Sequence, residues 1–327
     1  MRERLTYISN ARIVGILLVV FGHSYPLTGE IPKSFEVIRN FIYCFHMPLF
    51  VFVSAYLVSK TKAFEKYSAK NYLQKRFVKL FLPYIGLSII GFFPKILMSS
   101  FINDKVELSL AYFARTIFIP RENVWGHFWF IPMLFTMTVV SVVYKKIISK
   151  NTILAITIWV LSFGLIFLPN LTEWIGINDV KNYLFWYLSG LIVGETDWLE
   201  KLRPLLSGSV ALGIGLFIFV VSDMKAYNTF VGVFLVVGII QICKCVAIEK
   251  IQIFKVIERY SFSIFLLSWP VQAVVEVAGN RILQLPFVFN MSAMFLAGIF
   301  VSLAVVVTAK RISSVPYIGK ITKVLGL

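Results

Sequence analysis

Residues 11–28 read ARIVGILLVVFGHSYPLT, with one cation, Arg12, near the start and one imidazole, His23, near the end. Everything between those two side chains is apolar or glycine. About 20 such residues in helical form cross a bilayer core, and lipid offers no partner to a backbone N–H or C=O, so the run must be a helix. Comparable runs lie near 41–59, 80–100, 128–144, 152–168, 182–195, 205–222, 229–248, 260–278 and 291–309. The reading is an all-α, polytopic membrane protein, one transmembrane domain over 1–327 with about ten helices and hence both termini on one side. Closed β-barrels need alternating ten-residue strands, which the sequence lacks. The run at 182–195 is short, and nine spans or a re-entrant piece there is the alternative.

Composition agrees. Apolar side chains make up 58% of the 327 residues and charged ones only 15%. A soluble domain has about a quarter charged residues, so too little polar surface is available here to coat one. Basic residues are asymmetrically placed. With the termini in the cytoplasm, 23 of the 32 lysines and arginines fall on the inner face, among them Arg2, Arg4, Arg12, Lys320 and Lys323, while eight lie in outer loops and Lys95 within a helix. The formal charge of +16 is then largely orientation signal, and a nucleic-acid-binding function drops out. The localisation that follows is multi-pass in the plasma membrane. A small-residue cleavage site is not seen after the first apolar run, so that run is expected to stay as helix one. The longest outer connection, about 101–127, is the candidate for a folded cap. Three cysteines, Cys44, Cys243 and Cys245, are too few for a disulfide framework.

Three histidines exist, and this topology puts His23, His46 and His127 toward the outer side. Ionisable groups at membrane depth usually face a bundle interior or a wet cavity, which makes His23 and His46 candidates for chemistry, although a neutral histidine can also serve as an interhelical hydrogen-bonding group. His127, between Trp125 and Trp129, reads as an interfacial anchor. A three-histidine zinc site is disfavoured by the absence of ligand-like spacing, and no metal is predicted. Arg12 and His23 are eleven residues apart; eleven steps of about 100° give three turns plus about 20°, which places both on one helix face about 16 Å apart along the axis. Gly15 and Gly22 lie near that face and lower its wall, so that an extended chain or another helix can approach. A cation at the inner end and an acid/base group at the outer end suit a long anionic donor threaded from inside, whereas Arg12 on its own also fits a residue snorkelling to headgroups. Lys75, Arg76 and Lys79, three and four apart before Pro83, form a cationic surface suited to a diphosphate or to a stop-transfer signal.

The stretch from Tyr7 to Ser24 containing Arg12 and His23 resembles the first-helix signature of the acyltransferase-3 family of integral membrane acyltransferases. Three further stretches agree in order: Phe45-His46-Met47-Pro48-Leu49-Phe50 with Ser54-Ala55-Tyr56-Leu57, then Lys75-Arg76 through Pro83-Tyr84, then Gly126-His127-Phe128-Trp129-Phe130. The nearest look-alikes are the fucose O-acetylase-like and capsule polysaccharide O-acetyltransferase branches. The resemblance implies transfer of an acyl group, commonly acetyl from cytoplasmic acetyl-CoA, to a hydroxyl of a cell-envelope or capsular sugar. It assigns catalysis to His23 and donor binding to Arg12, Arg76 and Lys79; His46 is expected to join His23 in catalysis, orienting it or binding the acceptor. The chain departs from the family pattern at Ser9, Ala55, Lys79 and Ser268, where Asp, Gly, Arg and His are common. Lys79 offers a point charge in place of a planar fork, and Ser268 leaves the late helices without a role. From another functional class, a polysaccharide exporter of the biofilm type is the alternative reading.

Overall fold

The computed structural model describes residues 6–26, 31–97, 109–222 and 228–313, together with 319, 322, 325 and 326. Arg2, Arg4, Lys320, Lys323, residues 101–108 of the outer connection and the Lys95 side chain lie outside what is described. In chain order the helices are α1 (Thr6–Gly22), α2 (Lys33–Tyr43), α3 (His46–Lys60), α4 (Ala63–Lys66), α5 (Ala69–Leu97), α6 (Leu110–Phe118) and α7 (Phe130–Lys146). They continue as α8 (Thr152–Leu165), α9 (Ile177–Thr196), α10 (Pro204–Val221), α11 (Asn228–Cys245), α12 (Gln252–Arg259), α13 (Ser261–Val277) and α14 (Phe287–Ile312). Among the described residues no strand occurs, and the fold is all-α.

Each of the ten apolar runs carries a helix, but among the described residues seven stretches are long and apolar enough to cross a membrane: Lys33–Lys60, Ala69–Phe93, Gly126–Lys150, Pro204–Val221, Asn228–Cys245, Ser261–Asn280 and Phe287–Ile312. α1 and α8 are apolar but shorter. α9 belongs to neither group, since it brings Asp179, Lys181 and Glu195 into its length. The run expected at 41–59 is two helices, the first starting at Lys33, with a break at Cys44 and Phe45. Lys75, Arg76 and Lys79 lie within α5, which begins at Ala69.

The chain divides into two compact units, one of residues 1–56 and 192–305 and one of 57–191 and 306–327. In the first, α1 is the inner helix: Ile8, Ala11, Ile13, Ile16, Val19 and Val20 are all buried, against α11, α12 and α13. α10 and α11 form a hairpin in which small residues let the backbones close. Gly208, Ala211 and Gly215 are buried while Leu206, Phe217 and Val220 point outward. That pattern, small inside and large apolar outside, inverts the soluble rule and fits a helix solvated by acyl chains. In the second unit α5 meets α7 through Phe77, Phe81 and Phe135, with ring centroids 4.9–5.8 Å apart across the pair. α9 is tied to α7 by Tyr187 and Ser141, whose hydroxyls lie 2.5 Å apart, and to α8 by Trp159 Nε1 donating to Ser189 Oγ at 2.8 Å. The loop after α6 is pinned to α5 where Trp125 Nε1 donates to the Leu87 carbonyl and its ring covers Gly91.

A Cβ added at Gly238 would stand 2.8 Å from the Leu212 side chain and 3.0 Å from its backbone nitrogen, whereas one added at Gly213 meets nothing within 4 Å. Gly238→Leu should therefore cost about 1–3 kcal/mol by overpacking and lower the thermal midpoint in detergent, with Gly213→Leu unchanged; equal midpoints for the two variants would contradict the hairpin packing.

Candidate active site

α1 stops at Gly22 because Pro26 follows closely: it has no N–H to continue the ladder and disfavours helical backbone at Tyr25. The last carbonyls of a helix need partners from outside, and each of the final four finds one. Val19 O accepts from His23 N at 3.1 Å and Phe21 O from Ser24 N at 3.0 Å. Val20 O accepts from Ser24 Oγ at 2.7 Å and from Gln272 Nε2 at 2.8 Å, and Gly22 O accepts from the Tyr43 hydroxyl at 3.2 Å. Gln272 also donates to Ser24 Oγ at 2.9 Å. His23 thus sits just past the last helical residue on a backbone clamped by α13 and α2.

The imidazole of His23 stacks on the Trp269 indole, centroids 4.8 Å apart and planes 23° apart, and meets Tyr43 edge-on at 6.3 Å. His46, the first residue of α3, meets the same Tyr43 ring at 4.8 Å. Its Nδ1 lies 2.9 Å from the Ile42 carbonyl. A carbonyl only accepts, so Nδ1 carries the proton and a neutral His46 keeps its lone pair on Nε2. The two histidines are therefore neighbours around one tyrosine ring.

Arg12 is bonded within the protein. Its Nη1 donates to Glu258 Oε1 at 2.7 Å and its Nη2 to Ser261 Oγ at 2.9 Å. The Arg12 side chain stays 32% exposed while Glu258 is 13% exposed. Ser261 and Trp269 both belong to α13, so Arg12 and His23 meet the same neighbouring helix, as one shared face of α1 requires. Arg12 comes before His23 and Ser261 before Trp269, hence α1 and α13 run in the same direction where they pack. The low wall at Gly15 and Gly22 is taken up by aromatic rings: a Cβ at Gly15 would be 2.9 Å from the Phe50 ring and one at Gly22 3.2 Å from Tyr43.

Arg76 and Lys79 belong to the other unit, in the early turns of α5. The Arg76 guanidinium lies 5.4 Å from the centre of the Tyr72 ring, and Lys79 is exposed. His127 is also in that unit, 2% exposed within the short turn Gly126–Trp129 and edge-on to Phe128 at 4.7 Å. Among the described residues no three His, Cys, Asp or Glu side chains gather as metal ligands.

At the other end of α1 the Tyr7 and Tyr56 hydroxyls lie 2.6 Å apart, and both reach Glu200 Oε1, at 2.5 and 3.1 Å. Lys244 Nζ stands 3.4 Å from Glu200 Oε2 and donates to the Leu199 carbonyl. Asn10, fully buried, donates to the carbonyls of Cys243 and Val246 and accepts from Glu249 N, closing the end of α11. Burial raises the Glu200 carboxyl, but the tyrosine hydroxyls and the Lys244 ammonium outweigh it and hold the group below the usual carboxylate range.

A family model described as an acyltransferase domain, that of the acyltransferase-3 family, matches residues 5–311, and the chain belongs to this family. It is a membrane-bound protein of an acyltransferase class, and the family implies an acyl donor and an acceptor. No curated protein and no solved structure matches it.

Several residues of this site escaped the sequence reading. Trp269, Gln272 and Ser261 give α13 the role that Ser268 had left unassigned. The only signal for them was the Ser-Trp-Pro stretch in a late apolar run. Glu258 and Glu200 have no local signature at all. Since folded Glu200 gives up its proton more readily than an unfolded chain does, its stabilisation is present near neutral pH and lost as pH falls through the carboxylate range. The thermal midpoint should consequently drop more between about pH 7 and about pH 4 for the native protein than for Glu200→Gln; parallel curves would remove Glu200 from this account.

Proposed function

We propose that the protein is an integral membrane O-acetyltransferase of the plasma membrane, with ten spans and both termini in the cytoplasm. It moves acetyl from cytoplasmic acetyl-CoA to a hydroxyl of a cell-envelope or capsular sugar. The observation that carries this reading is the clamped His23, stacked on Trp269 with His46 close by, on the same helix face as Arg12. Arg12 holds the anionic end of the donor, and Arg76 and Lys79 are the further donor-binding candidates. Glu258 and Ser261 occupy one side of the Arg12 fork and orient it, leaving its exposed part for phosphate.

In one route His23 takes the proton of the sugar hydroxyl as its oxygen attacks the thioester carbonyl. The tetrahedral oxyanion then collapses, the C–S bond breaks, and the proton goes to the departing thiolate. In the other, a neutral His23 nitrogen attacks the thioester carbonyl and the C–S bond breaks to release CoA thiolate; the sugar hydroxyl then attacks the acyl carbon, the C–N bond to imidazole breaks, and the hydroxyl proton passes to the thiolate. Both need a neutral imidazole at the start. Stacking on Trp269 fixes the ring plane and stabilises the imidazolium of the first route by about 0.5–2 kcal/mol through the indole face.

Reconstituted protein given labelled acetyl-CoA and envelope glycan should transfer label, and His23→Ala should lower the rate by about 100-fold or more. Activity should also fall in acid as the imidazole protonates. Glycan flux that consumes no donor and survives His23→Ala would sink the enzyme reading. Glu258→Gln should raise KM for acetyl-CoA several-fold with little change in kcat; an unchanged KM would free Arg12 from donor binding or Glu258 from orienting it. Mass spectrometry of envelope glycans from cells with and without the protein would identify the group transferred.

A further inference from the structure

The second unit carries a polar cluster that the acyl-transfer chemistry leaves unused. Arg121, 46% exposed, donates to Asp179, which is 0% exposed, through Nε at 2.9 Å and Nη2 at 2.5 Å. Both donors fall on the same oxygen, Oδ1. An arginine facing a carboxylate ordinarily spreads its fork over both oxygens, whereas here Oδ2 is buried with no hydrogen-bond partner. It faces Gly176, at φ +71°, where a Cβ would begin 3.9 Å from Oδ2. Ile175 beside it is held at φ 55°, a costly conformation for a β-branched residue. A second carboxylate oxygen, Glu173 Oε2, is buried in the same condition, while its Oε1 accepts from Asn178 Nδ2 at 2.8 Å. Lys181 of the same helix donates to the carbonyls of Leu168 and Pro169.

Aromatic surface borders these groups. The Arg121 guanidinium lies 4.5 Å from the centre of the Trp129 ring, and Trp129 stacks with Tyr183 at 5.3 Å and 27°. Two acceptor oxygens without donors call for a ligand that supplies O–H groups. Anions are repelled by the two carboxylates, and the guanidinium bonded to Asp179 disfavours a divalent cation there. A neutral polyol satisfies both oxygens, can accept from the exposed part of Arg121, and presents C–H faces suited to indole and phenol rings.

We infer that Asp179, Glu173 and Arg121, beside Trp129 and Tyr183, form a binding subsite for a neutral, hydroxyl-rich saccharide. As a saccharide site of the second unit it stands apart from the proposed transfer chemistry.

The test uses the full chain in nanodiscs without donor, titrated with methyl glycosides of glucose, galactose, rhamnose and N-acetylglucosamine and followed by saturation-transfer NMR. At least one glycoside should bind. Asp179→Asn and Glu173→Gln should each weaken that binding about tenfold or more, the loss of a hydrogen bond to a charged acceptor, and Trp129→Leu should weaken it as well. Glycoside binding by native protein that shows no acetyl transfer would support the subsite while the enzyme reading fails. Glu173→Gln keeps the Arg121–Asp179 pair and decides the matter if Asp179→Asn does not fold. No response to any glycoside, equal affinity in the native protein and the foldable carboxylate variants, or stabilisation by calcium in place of glycosides would overturn the inference, even with acetyl transfer intact.

Discussion

A helix that ends at membrane depth leaves carbonyls that hydrocarbon cannot solvate, and each one left bare costs several kcal/mol. α1 ends buried among other helices, where its carbonyls likewise need partners, and those helices supply them. Gln272 of α13 and Tyr43 of α2 donate to its last carbonyls, and Ser24 folds back onto the same turn. The clamp that satisfies the backbone also fixes the peptide bearing His23, so stability and the placement of the imidazole come from one set of hydrogen bonds. Gly298 of α14 matters for the same reason: a Cβ there would stand 2.8 Å from Val20 and 3.0 Å from Gln272 Nε2.

Charge is handled by the same logic at the opposite end of the helix. Arg12 is paired with Glu258, and Glu200 is held by two phenols and a lysine. Neither an isolated guanidinium nor an isolated carboxylate is tolerated where water is scarce, but partial exposure of Arg12 and Glu200 keeps both within reach of an incoming group. The Arg121–Asp179 pair in the second unit differs, since its buried carboxylate oxygen has no donor of the protein's own.

What could be read from the sequence is what helical geometry and lipid dictate locally. The eleven-residue spacing from Arg12 to His23 needs only 3.6 residues per turn, and the apolar runs need only the thickness of a bilayer. Where those rules were bent, the cause was also local: Pro26 ended α1 early, and Asp179, Lys181 and Glu195 made α9 too polar to pass as an apolar span. The partners were not legible, because nothing in the chain near Arg12 announces Glu258, and nothing near His23 announces Trp269 or Gln272. Contacts between residues that far apart are decided by which helices become neighbours. Gly15 and Gly22 illustrate the limit: small residues signal close approach, and the structure supplies Phe50 and Tyr43 as what approaches.

The parallel packing of α1 with α13 also bears on biosynthesis. Two neighbours pointing the same way cannot be joined by a tight turn, so the chain between them has to return to its starting side before the second is laid down. While the ribosome is still working through that excursion, the end of the first helix lacks its Gln272 donor and His23 lacks its indole. The surroundings of His23 are thus a late acquisition, since the backbone clamp and the ring stack both wait for α13.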